Sequence, residues 1–446
     1  MSEASAGEHR EHRMKRLMSR RVSFFKAILL LGLLFTGRVY ALRSAPWATG
    51  LSRAEDLQIK LVTIAPGPET YAWWGHTAII VEDQRLHTAR FYNYGLFSFY
   101  LENFYLNFAF GRLIFEVGAS DGAWELAYYS RINREIRIQV LNLAPAKRMQ
   151  MARFLENNIL PENREYLYDH YLDNCSTRIR DLIDRMVDGE LAAITAKPSP
   201  LTLREHTRRY TYQYFFMDWL LMFLMGRSID QPIKEWDEMF LPDELEKYVG
   251  RVEYRDEQGN IIPLVSDSYI HYKMPEYQGA PARAPSRWFL GLFCGLVLAG
   301  AALPLACYKK KGSKPGRILF GLYNSLIGFF LGIHGLALTF LMFFTDHRVT
   351  YYNENLLLAN PLTALAIPLG LLAAFNIGRS SEYLLWLWRL LAAAGVLALV
   401  VKLFTVVDQE NWRSLGAILP VLLALALYSP TPHGKSLQLP WQKQPR

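Results

Sequence analysis

From Trp288 onward the chain is a series of apolar runs separated by short polar or basic loops, and no other feature limits its fold so tightly. Backbone in hydrocarbon must satisfy its own hydrogen bonds, so apolar runs of about 20 residues are expected to be helices. Five spans are expected, near 288–307, 318–344, 355–376, 385–405 and 412–428. The loops then sort by charge. "KKKGSKPGR", "NIGRSSEY" and the tail "HGKSLQLPWQKQPR" fall on one side, "TDHRVTYYNEN" and "VVDQENW" on the other. Basic loops stay cytoplasmic, which places the long stretch before Trp288 outside, in a periplasm-like compartment.

That stretch is mixed and polar, and averaging it with the spans gives a mean hydropathy of only +0.04. The formal charge of +8 invites a nucleic-acid reading. However, nine Lys and Arg against three Glu lie within the first 50 residues, and another basic cluster sits between two spans. Charge placed in this way sets topology and leaves the middle of the chain nearly balanced, so nucleic acid is not an expected partner. Residues 1–43 join a basic segment to an apolar core of roughly 11 residues, short for a spanning helix. They read as a signal peptide, with Val39 and Ala41 spaced for cleavage, or as an N-terminal anchor. The expected domains are then 44–286 outside and 287–446 in the membrane.

In the external part, "LQIKLVTIAPG" alternates apolar and polar residues as a half-buried strand does. "GHTAIIVED" and "RFYNYGLFSF" read as two further strands joined by a turn. "REIRIQVLNL" places Ile136, Ile138 and Val140 on one face and Arg137 and Gln139 on the other. "APAKRMQMARFLENNILP" is a helix ended by Pro161, and a second helix follows, with Ile179, Leu182, Ile183 and Met186 at helical spacing. The fold class expected is an α+β domain followed by an all-α membrane domain. The apolar segment from Tyr210 to Gly226 is either a core helix or one that dips into the bilayer surface or lines an acyl groove.

The chain has three cysteines. Cys294 and Cys307 belong to the first span, which leaves Cys175 as the lone thiol of a domain in an oxidising compartment. An unpaired thiol there is either buried and inert or a nucleophile. In "HYLDNCSTRIRDLID", Asp173 or Asn174 can cap the helix and leave Cys175 in its first turn, where free N–H groups favour a thiolate. Arg178 and Arg180 add positive potential. A cysteine nucleophile needs a base, and "WWGHTAIIV" offers His76 at the head of a strand, behind a glycine that allows close approach. Asn93, in "YNYG", is suited to orient the imidazole; His87 is the rival for that third role. Cys–His–Asn is an acyl-transfer constellation that requires no metal or organic cofactor. Asp346, His347, Asn353 and Asn355 cluster on an external loop beside the bilayer. They form either a solvated loop or a headgroup- or amine-binding edge of the site, with His347 as a competing base. Together with Asn174 and Arg178 they are the candidate substrate-binding residues.

These residues carry a resemblance. "WGHTAIIVED" followed by "FYNYGLFSF", then "YLYDHYLDNCSTRIRDLID", "LREHTRRY", "GRSIDQPIKEWDEMFLPDEL" and "TDHRVTYYNENLLLANPL", resembles the Lnb family of bacterial lipoprotein N-acyltransferases over roughly residues 55–370. More distantly, a His strand preceding a Cys helix is similar to permuted papain-like enzymes, including lecithin:retinol acyltransferase. The resemblance implies transfer of a fatty acyl chain from a phospholipid donor, through a thioester on Cys175 with His76 as base, to the N-terminal amine of a lipoprotein acceptor. It also implies a multi-pass protein of the bacterial inner membrane. Two other classes fit the same residues. A papain-like cell-envelope amidase, peptidase or thioesterase would share the site but use water, and would not need five spans. A non-catalytic membrane scaffold would need neither His76 nor Cys175.

Overall fold

The computed structural model describes residues 44–97, 103–310, 313–404 and 408–428. The leader 1–43 and the basic tail lie outside the described residues, as does the end of the "RFYNYGLFSF" segment.

Strands β1 (Leu57–Ile64), β2 (His76–Asp83), β3 (Thr88–Leu96), β4 (Ile114–Asp121), β5 (Ile136–Leu141), β6 (Glu165–Leu167) and β9 (Val265–Tyr272) form one antiparallel sheet in the order β6-β4-β3-β2-β1-β5-β9. Strands β7 (Glu253–Arg255) and β8 (Ile261–Pro263) pair separately. On one face Val62, Ile64, Ala78, Ile80, Phe91, Ile136 and Ile138 pack with Tyr129 of the helix Gly122–Arg131. The other face is also covered. Arg137 donates to Glu246 at 2.8 Å and to Asp243, and Gln139 to the Glu246 carbonyl, all on the helix Pro242–Val249. Arg137 and Gln139 therefore mark a second packed layer with ion pairs inside it, not a solvent face. The helices Pro145–Asn158 and Cys175–Met186 belong to the same layer, the second packing on β2 and β3.

Strands β1, β2, β3 and β5 fall where alternation places them. Strand β9 does not announce itself, because it is an edge strand with nearly every side chain exposed and so has no apolar period.

Among the described residues, the membrane part contains four helical segments long and apolar enough to cross a bilayer: Trp288–Lys309, Lys314–Phe344, Glu354–Ala374 and Ser380–Val401. A further helix, Trp412–Tyr428, has only 17 residues, about 25 Å at the helical rise. Five apolar segments are thus present, of which four meet the length expected of a span. The third is irregular: it begins as short 3-10 turns, one of them opened by Pro361, and becomes α-helical only from Ala366. The loops group at two ends. Lys309 Nζ reaches Ser381 Oγ at 3.3 Å, joining two basic loops. The Asp346 amide bonds the Phe110 carbonyl, and Gln409 bonds the Met225 carbonyl, joining the other two loops to the sheet domain.

The helix Phe215–Leu224 is bonded to the last membrane helix. Asp218 is fully buried and accepts from Arg413 at 2.6 Å and from Thr211 at 2.7 Å. Trp219 Nε1 donates to Ser414. With the membrane helices it lines an apolar cavity of about 310 Å³ that also holds Cys294 and His334.

Candidate active site

Where β2 begins and β3 ends, the chain must leave the sheet without blocking it. Gly75 does this with a φ of +81°, and a Cβ there would stand 2.9 Å from the Ile64 carbonyl. No other residue type tolerates both conditions. His76 is thereby delivered as the first residue of β2, and Asn93 lies opposite Ala78 on β3, on the same face of the ladder. His76 Nε2 is 2.7 Å from Asn93 Oδ1. A carboxamide oxygen only accepts, so Nε2 carries the proton and Nδ1 is left with its lone pair. His87 sits in the turn at the far end of this hairpin, with φ +50°, roughly 25 Å of strand away.

Cys175 opens its helix as expected, and the cap is Asn174. Its side chain accepts from Ser176 N at 2.8 Å and Thr177 N at 2.9 Å, while Thr177 returns a bond to the Asn174 amide. Its carboxamide N–H groups go to the carbonyls of His170 and Phe240. The side-chain atoms of Asn174 are thus engaged in fixing the start of the Cys175 helix. Arg178 is likewise occupied. It clamps Asp173 through two bonds and lies 3.8 Å above the Tyr166 ring.

Cys175, His76 and Asn174 line one cavity of about 470 Å³. Its walls are mostly aromatic: Tyr71, Trp74, Phe97, Phe104, Phe115 and Phe240 among them. Burial pushes the Cys175 thiol pKa up; backbone N–H groups of Thr77, Ser176 and Cys175 itself, and then Arg134, pull the other way. Burial, then the Arg134 guanidinium, lowers His76 to about 4, against the Asn93 bond. The resting pair is therefore a neutral thiol with a neutral imidazole.

The loop residues do not line this cavity. Asn353 and Asn355 are buried and donate to the Phe223 carbonyl, Asn353 also to that of Leu224. They fasten the loop to the Phe215 helix. Asp346 pairs with Arg112 at 2.7 Å, and His347 Nε2 contacts the Phe108 carbonyl at 2.9 Å. These two hold the short helix Phe104–Phe110, whose Phe104, Tyr105 and Phe108 form a cavity wall.

Four residues escaped the sequence reading. Arg134 is buried, bonds the Ala65 carbonyl at 2.7 Å, and its charge acts on both His76 and Cys175. Tyr166, Tyr168 and His170 alternate in "YLYDH" just before the helix, and that period of two was the available signal. Tyr168 and His170 line the cavity. His170 packs against Trp74 and Phe240, its Nε2 is buried without a partner, and burial lowers its pKa to about 4.

Two neutral, half-buried histidines imply acid lability. An unfolded imidazole has a pKa of about 6.5, so between pH 6.5 and 4 the unfolded chain binds protons that the folded one refuses. Stability is expected to fall as pH falls through this window, by about 1.4 kcal/mol per pH unit for each histidine. Melting of the detergent-solubilised protein should show a shallower acid loss in His170→Phe than in the wild type. An identical slope contradicts the burial of a neutral His170.

Two family models match the chain: the Lnb N-terminal periplasmic domain over residues 43–209 and the Lnb transmembrane domain over residues 286–429. Together they cover well over half of it. No curated protein and no solved structure matches. The segment between the two matches supplies the Phe215 and Pro242 helices and β9.

Proposed function

The chain belongs to the Lnb family, and from that premise we propose that it is a lipoprotein N-acyltransferase of the bacterial inner membrane, with its catalytic domain in the periplasm. It takes a fatty acyl chain from a membrane phospholipid onto Cys175 and passes it to the N-terminal amine of a diacylglyceryl-cysteine lipoprotein. The observation that carries this reading is the shared cavity of Cys175 and His76. It is aromatic enough to receive an acyl chain, and one of its walls, the Phe104 helix, is bonded to the membrane domain. In this reading the His strand and Cys helix form a permuted papain-like catalytic centre.

His76 Nδ1 takes the thiol proton as Cys175 Sγ attacks the ester carbonyl carbon. The carbon–sulfur bond forms, the ester carbon–oxygen bond breaks, and the proton passes to the departing glycerol oxygen. Lysophospholipid leaves. The acceptor amine then attacks the thioester, its proton goes to His76, and the carbon–sulfur bond breaks as His76 returns that proton to Sγ. Asn93 holds the imidazole in the tautomer that both halves need. A cavity walled by aromatic rings disfavours water as the acceptor, which supports a transferase over a hydrolase.

Mass spectrometry of the N-terminal peptide of a resident lipoprotein, in cells with and without this protein, tests the reading. A third acyl chain on the cysteine amine is expected only when the protein is present. A free amine in both cells contradicts it, and free fatty acid released from the purified protein without an acceptor favours a hydrolase.

A further inference from the structure

We propose that the Tyr166 hydroxyl is the side-chain donor that holds the oxyanion of the tetrahedral intermediates at Cys175, in a space kept open by Gly95. The proposal rests on the acyl-transfer reading above. Buried hydroxyls nearly always have a hydrogen-bond partner. Tyr166 is only 7% exposed, and its Oη is buried with no partner among the described residues. Its position is not accidental. Strand β6 pairs Tyr166 with Phe115, and the Arg178 guanidinium, itself clamped by Asp173, covers the ring at 3.8 Å.

The hydroxyl and Cys175 border the same gap at Gly95. Gly95 has a φ of +92°, and a Cβ built on it would lie 3.9 Å from Cys175 Cβ and 3.9 Å from Tyr166 Oη, with no other atom so near among those tested. The missing side chain thus leaves room for about one atom between the thiol-bearing carbon and an unpaired donor. A carbonyl oxygen on the carbon attacked by Sγ would enter this space and settle nearer Oη than a Cβ would, at about 2.7 Å, to accept its hydrogen bond. Burial and the adjacent Cys175 both raise the phenol pKa, so it keeps its proton and stays a donor.

The chemistry balances without an added reagent. When Sγ attacks the ester, the carbonyl π electrons move to oxygen and Tyr166 donates a hydrogen bond to the resulting anion. Collapse restores the carbonyl and expels the glycerol oxygen. Attack of the amine on the thioester regenerates the same oxyanion, which collapses with loss of Sγ. Tyr166 transfers no proton in either step.

The test uses the full chain in detergent micelles with phosphatidylethanolamine bearing palmitoyl chains, following acyl-enzyme formation in a single turnover. Tyr166→Phe should slow acylation by about 10²- to 10³-fold, the usual cost of one oxyanion donor. Apparent lipid affinity, thermal midpoint and the rate of Cys175 alkylation by iodoacetamide should stay within about twofold of the wild type. A purely structural Tyr166 would move those quantities instead. Difluorotyrosine at position 166, a more acidic donor of the same shape, should acylate at least as fast as the wild type. Acylation by Tyr166→Phe within threefold of wild type overturns the proposal. Where the phenylalanine variant does not fold, slower acylation by the difluorotyrosine protein overturns it. Absence of any hydroxylamine-labile adduct on the wild type overturns the acyl-transfer reading and this proposal together.

Discussion

Cys175→Ala is expected to lose acyl transfer by about four orders of magnitude or more, since no second group can carry the chain once the nucleophile is gone. The fold should barely notice. Cys175 lies outside the apolar stripe of its helix, whose core contacts come from Ile179, Leu182, Ile183 and Met186. The Asn174 cap bonds to Ser176 and Thr177 do not involve the thiol. Loss of activity with a melting midpoint shifted by no more than a few degrees is therefore the predicted pair of results. Lipoprotein N-acylation that persists in Cys175→Ala would remove the cysteine from the mechanism and favour the scaffold reading.

The second large effect is on the pH dependence of acylation. With His76 near 4 and the thiol held above its ordinary value by burial, the pair is neutral across the physiological range. His76 is competent as a base above about pH 4 and is lost below it, so the acid limb should lie near 4 and not near 6.5. No thiol-ionisation limb should appear until the alkaline range. In His76→Ala the reaction must wait for the ionised thiol. Its rate should drop by about 10²- to 10⁴-fold at neutral pH and then climb tenfold per pH unit, as the thiolate fraction does. Asn93→Ala should do less damage, because the imidazole stays in place and loses only the bond that fixes its tautomer. A flat profile for His76→Ala from pH 6 to 9 contradicts the base assignment.

The legible part of the chain is the part whose residues obey one period. Alternation marked β1, β2 and β5, and helical spacing with an Asn cap marked the Cys175 helix. The His76–Asn93 bond follows from two adjacent strands and their register. Alternation fell short where a polar residue was buried with a partner. It put Arg137 and Gln139 on the face opposite Ile136 and Ile138 but could not show Asp243 and Glu246 folding back over them. The bonds of Asn353 and Asn355 were hidden for the same reason, since only the folded chain brings the Phe223 carbonyl to them. Arg134 was invisible because its effect on Cys175 and His76 acts through space from the far side of β5's entry loop. Tyr166, Tyr168 and His170 were within the quoted motif, yet three alternating residues before a helix make too short a run to stand out.

The central claim is that an acyl group sits on one sulfur atom. The purified full-length protein, incubated with a phospholipid of defined acyl chains in the absence of any amine acceptor, is quenched in acid, digested and weighed. The account predicts that the peptide containing Cys175 gains the mass of one acyl chain, that hydroxylamine removes it, and that adding a diacylglyceryl-cysteine peptide discharges it onto the peptide amine. An unmodified Cys175 peptide alongside active transfer, or an adduct on Cys294 or Cys307 instead, would contradict it.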